Sequence, residues 1–179
     1  MALKDTLERL RQQEHEAAKW EQDKPQLIAE WQQAIVKLFE EIRGYLSEYQ
    51  ADGSMSFSEG EVGLSEESLG AYNARQMHIS APSAIIVLAP VGRIIVGATG
   101  RVDMYRQGRV GEFERVRLLR VQTSPSDQTP RWVIIPPPEA GMLKTTGAQT
   151  PSWLGGDPRF IPLTKQALEQ AIEFLLSKQ

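Results

Sequence analysis

The sequence predicts an α+β fold: an N-terminal helical hairpin, a curved antiparallel β-sheet of five to seven strands in meander order, and a C-terminal helix packed on the sheet. Three observations lead there. The first fifty residues are rich in Leu, Ala, Glu, Gln, Lys and Arg, with no glycine before Gly44. The middle of the chain carries short β-branched or aromatic runs, separated by intervals too short for helical crossovers, so neighbouring strands should run antiparallel. The chain then reaches PLTKQALEQAIEFLLSKQ, where Leu168, Ala171, Ile172, Leu175 and Leu176 share a helical face behind a capping Thr164.

Within the first segment, residues 1–50, the clearest period is Leu27, Ile28, Trp31, Ala34, Ile35, Leu38, Phe39, Ile42, Leu46 and Tyr49. Steps of three and four make this a buried stripe. Before it, Leu3, Leu7, Leu10, Ala17 and Trp20 form a narrower stripe on a charged helix. Such a stripe suits either the outer helix of a hairpin or a short coiled-coil contact with another chain. Pro25 disfavours helical backbone at Lys24, which predicts a break at QDKP and two helices rather than one.

Residues 51–179 form the sheet part, and the two segments together are expected to make one unit. A strand around Met55 to Leu64 is weakly indicated among glycines. ARQMHIS, SAIIVLA, RIIVGA, RVDMYR, FERVRLLRV and RWVII follow as strands. AIIVLAPVGRIIVGA is apolar on both faces and should lie centrally, covered by the N-terminal helices. A loop over 137–160, rich in Pro, Gly and Thr, precedes the helix expected at 163–178.

Composition narrows the chemistry. The chain has no cysteine, which removes thiol nucleophiles and thiolate metal sites, and two histidines, His15 and His78. The expectation is no cofactor, no metal site and no catalytic residue set. The acid pairs Glu40-Glu41 and Glu66-Glu67 are neighbours in sequence and read as solvated charge. The stretch MALKDTLERLRQQEHE has no secretory leader pattern and no apolar run approaches a membrane span, so a cytoplasmic protein without membrane contact is expected.

The formal charge of -3 hides a split: residues 1–69 hold 7 Lys/Arg and 15 Asp/Glu, whereas residues 93–131 hold 8 Arg and 4 acids. In GATGRVDMYRQGRVGEFERVRLLRV, Arg101, Asp103 and Tyr105 alternate on one strand, and Arg115 and Arg117 on the next. A bulge at Leu118-Leu119 would bring Arg120 to the same side. GATG itself reads as a kink or tight turn, because no helix or lysine follows it as a phosphate loop requires.

These features predict a non-enzymatic protein-interaction module of the adaptor, chaperone-like or inhibitor-like kind. Its partner-binding residues would be Arg101, Tyr105, Arg115, Arg117 and Arg120 of the strand face and Trp153 of the long loop. The partner is expected to be an acidic protein or a second copy of the chain, as in a homodimer. One alternative is nucleic-acid or nucleotide binding by the same face, which a pI near 5.5 disfavours. Another is a small ligand-binding or hydrolase domain with a pocket under the 137–160 loop, lined by His78 or Asp103.

Overall fold

A computed structural model describes residues 2–95, 98–109, 111, 114–122, 126, 129–137 and 160–177. Its first element is a single helix, α1, from Leu3 to Tyr45, followed by the short α2 from Ser47 to Ala51. Seven strands come next: β1 Ser56–Glu66, β2 Gly70–Ala81, β3 Ala84–Gly92, β4 Arg101–Arg106, β5 Val116–Gln122, β6 Pro130–Ile135 and β7 Ile161–Pro162. Helix α3 spans Lys165–Ser177. The strands pair in sequence order, every neighbour antiparallel, which is the expected meander.

The expected break at Pro25 does not occur. Helix α1 runs through the proline for 43 residues, about 65 Å at 1.5 Å per residue, so there is no helical hairpin. A proline inside a helix removes one hydrogen bond and costs about 3 kcal/mol. Here Pro25 and Glu21, whose carbonyl loses its partner, are both exposed, so the lost bond lies on the solvent side of the helix rather than in the core. Downstream, Trp31, Ile35, Leu38, Phe39, Ile42 and Leu46 are each no more than 1% exposed, and burying them contributes on the order of 10 kcal/mol. Burial of the stripe outweighs the cost of the proline, and the helix continues. Replacing Pro25 with alanine should therefore raise stability by about 1–3 kcal/mol, read as a higher urea midpoint with an unchanged m-value.

The core lies between the two long helices and one sheet face. Met77 and Ile79 of β2, Ile86 and Leu88 of β3, Val102 and Met104 of β4, and Val116 and Leu118 of β5 meet the α1 stripe and the buried face of α3. Strand alternation makes each of these pairs two residues apart. Helix α3 begins as expected, with the Ala167 amide donating to Thr164 Oγ1 at 3.2 Å. Its Ala167, Leu168, Ala171, Ile172, Phe174 and Leu175 are buried.

Strand β1 is longer and firmer than its glycines suggest, pairing with β2 from Ser56↔Ser80 to Glu66↔Gly70. Only Met77–Ala81 of β2 also pair with β3, so the rest of the β1–β2 hairpin leaves the sheet as a ribbon along α1. Side chains of α1 hold that ribbon: Gln32 Nε2 donates to the Asn73 carbonyl at 2.6 Å, and Trp20 Nε1 to the Ser68 carbonyl at 3.1 Å.

The expected strand RIIVGA is not one over its described residues. The Arg93 and Ile94 amides donate to the two oxygens of the Glu66 carboxylate, each at 2.9 Å, instead of to a neighbouring strand. Ile95 and Ala98 form an isolated bridge, and the chain turns after β4 at Gly108, with φ 86°. Most of the 137–160 loop, including Trp153, lies outside the described residues.

Candidate functional site

The arginine-rich strands build two different environments. Arg101, Asp103 and Tyr105 share the sheet face away from the helices, and Asp103 lies across from Arg117. Arg101 grips the Asp103 carboxylate with two donors, Nε at 2.6 Å and a terminal nitrogen at 2.8 Å. Arg115 donates to the second oxygen at 3.1 Å, and its guanidinium lies 5.1 Å from the centre of the Tyr105 ring. Asp103 is 1% exposed. Burying a carboxylate this deeply is costly unless it is paired and hydrogen-bonded, and here two guanidinium groups meet it.

Arg120 does not join this group. The β5 ladder keeps its register with β4 over Val116–Leu119 and with β6 over Arg117–Gln122, so no bulge forms at Leu118-Leu119. In a central strand an extra residue would leave ladder groups unpaired, and simple alternation instead sends Arg120 to the helix side. There it pairs with Glu30 of α1 at 3.3 Å and lies across from Trp132, whose ring is 6.1 Å from that of Trp31.

The face that carries Arg101, Asp103 and Tyr105 is not a simple wet surface. Val87 and Val133 on the same side are buried, at 3% and 0% exposure. His78 also lies there, one strand beyond Val87, with a ring nitrogen 3.3 Å from the Gln76 amide and the side chain half-buried. Thus four of the predicted residues, Arg101, Tyr105, Arg115 and Arg117, come together, Arg120 lies on the opposite face, and Trp153 is outside the described residues. Two further arginines, Arg43 and Arg75, meet at Glu59, at 2.5 and 3.0 Å.

A second surface lies apart from the predicted residues. Among the described residues, the exposed large hydrophobic side chains are Leu3, Leu7, Leu10, Trp20, Val91 and Ile94. The first four lie on the part of α1 that precedes the buried stripe. The last two lie where β3 leaves the sheet. Glu66 receives the Ile94 amide, and two residues further on Ser68 receives the Trp20 indole. The signal in the sequence is the narrow Leu3–Leu7–Leu10 stripe, which the expected hairpin would have covered and the continuous helix leaves exposed.

A groove of about 560 Å³ lies between α2 and α3, floored by Leu46, Met55, Ile172 and Leu176 and rimmed by Glu169 and Glu173. Tyr49 donates to Glu169 at 2.9 Å across it, and this hydrogen bond, with partial burial, raises the tyrosine pKa. Among the described residues no three or more His, Cys, Asp or Glu side chains are placed to hold a metal ion, and no helix is long and apolar enough to cross a membrane.

The fold and surfaces define an α+β chain with an open seven-stranded meander, one helix of which outruns its own core. Comparison with protein-family models, with curated proteins and with solved structures finds no match to this chain.

Proposed function

We propose that this chain is a non-enzymatic protein-interaction module whose contact surface is the exposed apolar side of the first half of α1. One observation carries the reading: four of the six exposed large hydrophobic side chains among the described residues lie on this one stretch of helix, Leu3 at 74%, Leu7 at 48%, Leu10 at 47% and Trp20 at 38% exposure. Single exposed leucines are ordinary, but a grouped set on an extended helix marks a contact surface. The arginine face has less support as the main surface. Its Arg101 and Arg115 already neutralise a buried carboxylate, so an acidic protein or a nucleic acid would compete with Asp103 for them.

The test is chemical cross-linking of the full chain in its native extract, followed by peptide mapping. Lys4, Lys19 and Lys24 report on the helix. Cross-links to protein should concentrate on these lysines, fall at least about tenfold in a Leu7→Glu/Leu10→Glu variant, and persist in Arg117→Ala. Cross-links that map elsewhere and ignore the leucine changes would refute the assignment.

A further inference from the structure

We infer that the partner at this end is a second copy of the chain, and that the two copies join through residues 3–22 of α1 as an antiparallel pair of helices. The inference rests on reading the apolar end as a contact surface, and it adds the identity and orientation of the partner.

The sequence of the helix favours that orientation. Leu3, Leu7, Leu10, Glu14, Ala17 and Glu21 recur at alternating steps of four and three, the seam of a coiled coil. Among the described residues, the β1–β2 hairpin reaches this end of the helix at Trp20, where the indole bond to Ser68 ties the hairpin tip to α1, and leaves Leu3, Leu7 and Leu10 exposed. In a parallel pair, Glu14 would face Glu14 of the other copy and Glu21 would face Glu21. An antiparallel pair centred between Gln12 and Gln13 removes both clashes. Arg11 then lies beside Glu14 of the other copy, and Lys4 beside Glu21, while Leu7 meets Ala17 and the neighbouring Ala18. Leu10 and Leu3 pack on the stems of Glu14 and Glu21, and the opposite charges flanking these glutamates select register and direction.

The same arrangement accounts for where the apolar surface ends. Leu3 of one copy reaches the turn of helix around Glu21 of the other, beside Trp20, whose indole holds the Ser68 carbonyl. The buried part of α1 begins at Trp31, about 28 Å along the axis from the centre of the pair. The two sheets therefore stand at opposite ends without collision. Because the contact is two-fold symmetric it closes at two copies and leaves no surface for a chain of further ones.

The full-length protein should show a mass in sedimentation or light scattering that rises with concentration toward twice 20.1 kDa. A Leu7→Glu/Leu10→Glu variant, with wild-type circular dichroism, should remain at 20.1 kDa. Direction is read separately, since the chain has no cysteine of its own. Leu7→Cys protein mixed with Ala17→Cys protein should form a disulfide dimer on mild oxidation, and Leu7→Cys alone should not. A monomer at every soluble concentration overturns the inference, as does efficient cross-linking of Leu7→Cys with itself. If the chain is monomeric yet the leucine variant loses its cross-links to a different protein, the second copy is ruled out while the contact surface stands. If neither self-association nor loss of any contact is seen, both fail.

Discussion

Alanine at residue 100 should destabilise the protein by about 3 kcal/mol, near the upper end of what added core volume costs. A Cβ on Gly100 would lie 2.2 Å from Cζ3 of Trp31, with two more indole carbons within 2.9 Å. The indole has little room to withdraw. Trp31 is fully buried, and the Trp132 ring is one of its neighbours. Either α1 shifts outward along its first buried turn, or the β3–β4 connection gives way. Both lose packing in the layer that holds the helix on the sheet. The expected readout is a urea midpoint that falls with little change in m-value. Trp31→Phe in the Gly100→Ala background should then cost less than Trp31→Phe alone, because the smaller ring makes the room the methyl needs. An unchanged midpoint for Gly100→Ala would contradict the close packing described.

Removing the Asp103 carboxylate should have an effect of similar size for a different reason. In Asp103→Ala, Arg101 and Arg115 remain beside each other, with side chains only 22% and 28% exposed, without the carboxylate that joins them. Breaking one side of a buried pair costs about 3–5 kcal/mol, and the partial access of these two arginines to water reduces the expectation to about 2–4 kcal/mol. Added salt should restore little of it, since a buried pair is weakly screened. Replacing Arg120 by alanine should be milder, because the group left behind, Glu30, is half-exposed and keeps its water, although the Arg120 side chain itself is only 12% exposed. If Asp103→Ala and Arg120→Ala cost the same, the distinction between stranding buried arginines and stranding a half-exposed glutamate is wrong.

These two positions also show where the sequence is informative. Regular alternation places Arg101, Asp103 and Tyr105 on one face and Val102 and Met104 on the other, and the α1 stripe from Trp31 to Leu46 announces its burial by period alone. What alternation does not carry is the tertiary context of a strand. Arg120 reaches the arginine face only through a bulge, but β5 is paired on both sides and keeps its register. Local propensity makes Pro25 a break, and the downstream burial of the stripe outweighs it. RIIVGA has the composition of a strand, yet its amides are claimed by Glu66, a residue 27 positions away from Arg93 that no local pattern connects to it. The Leu3–Leu7–Leu10 stripe is plain in the sequence. Its meaning changes once the hairpin expected to cover it gives way to one continuous helix.

Much of the charge on the arginine-rich strands is met from within the chain. Arg101 and Arg115 are answered by Asp103, Arg120 by Glu30 of the acidic N-terminal segment, and Arg109 by Glu114 at 3.4 Å. Charge segregation along the chain thus serves in part to bind the halves of one fold together. The apolar end of α1 is the surface that this internal pairing leaves unexplained, and it is where association should be sought.

The most direct measurement is amide hydrogen exchange along α1, compared between dilute and concentrated protein. Pairing of two copies predicts slower exchange over residues 3–22 at high concentration, with residues 31–46 and the strands unchanged, since those are protected by the core of each copy. Exchange over residues 3–22 that is the same at both concentrations would contradict the pairing of two copies through this helix.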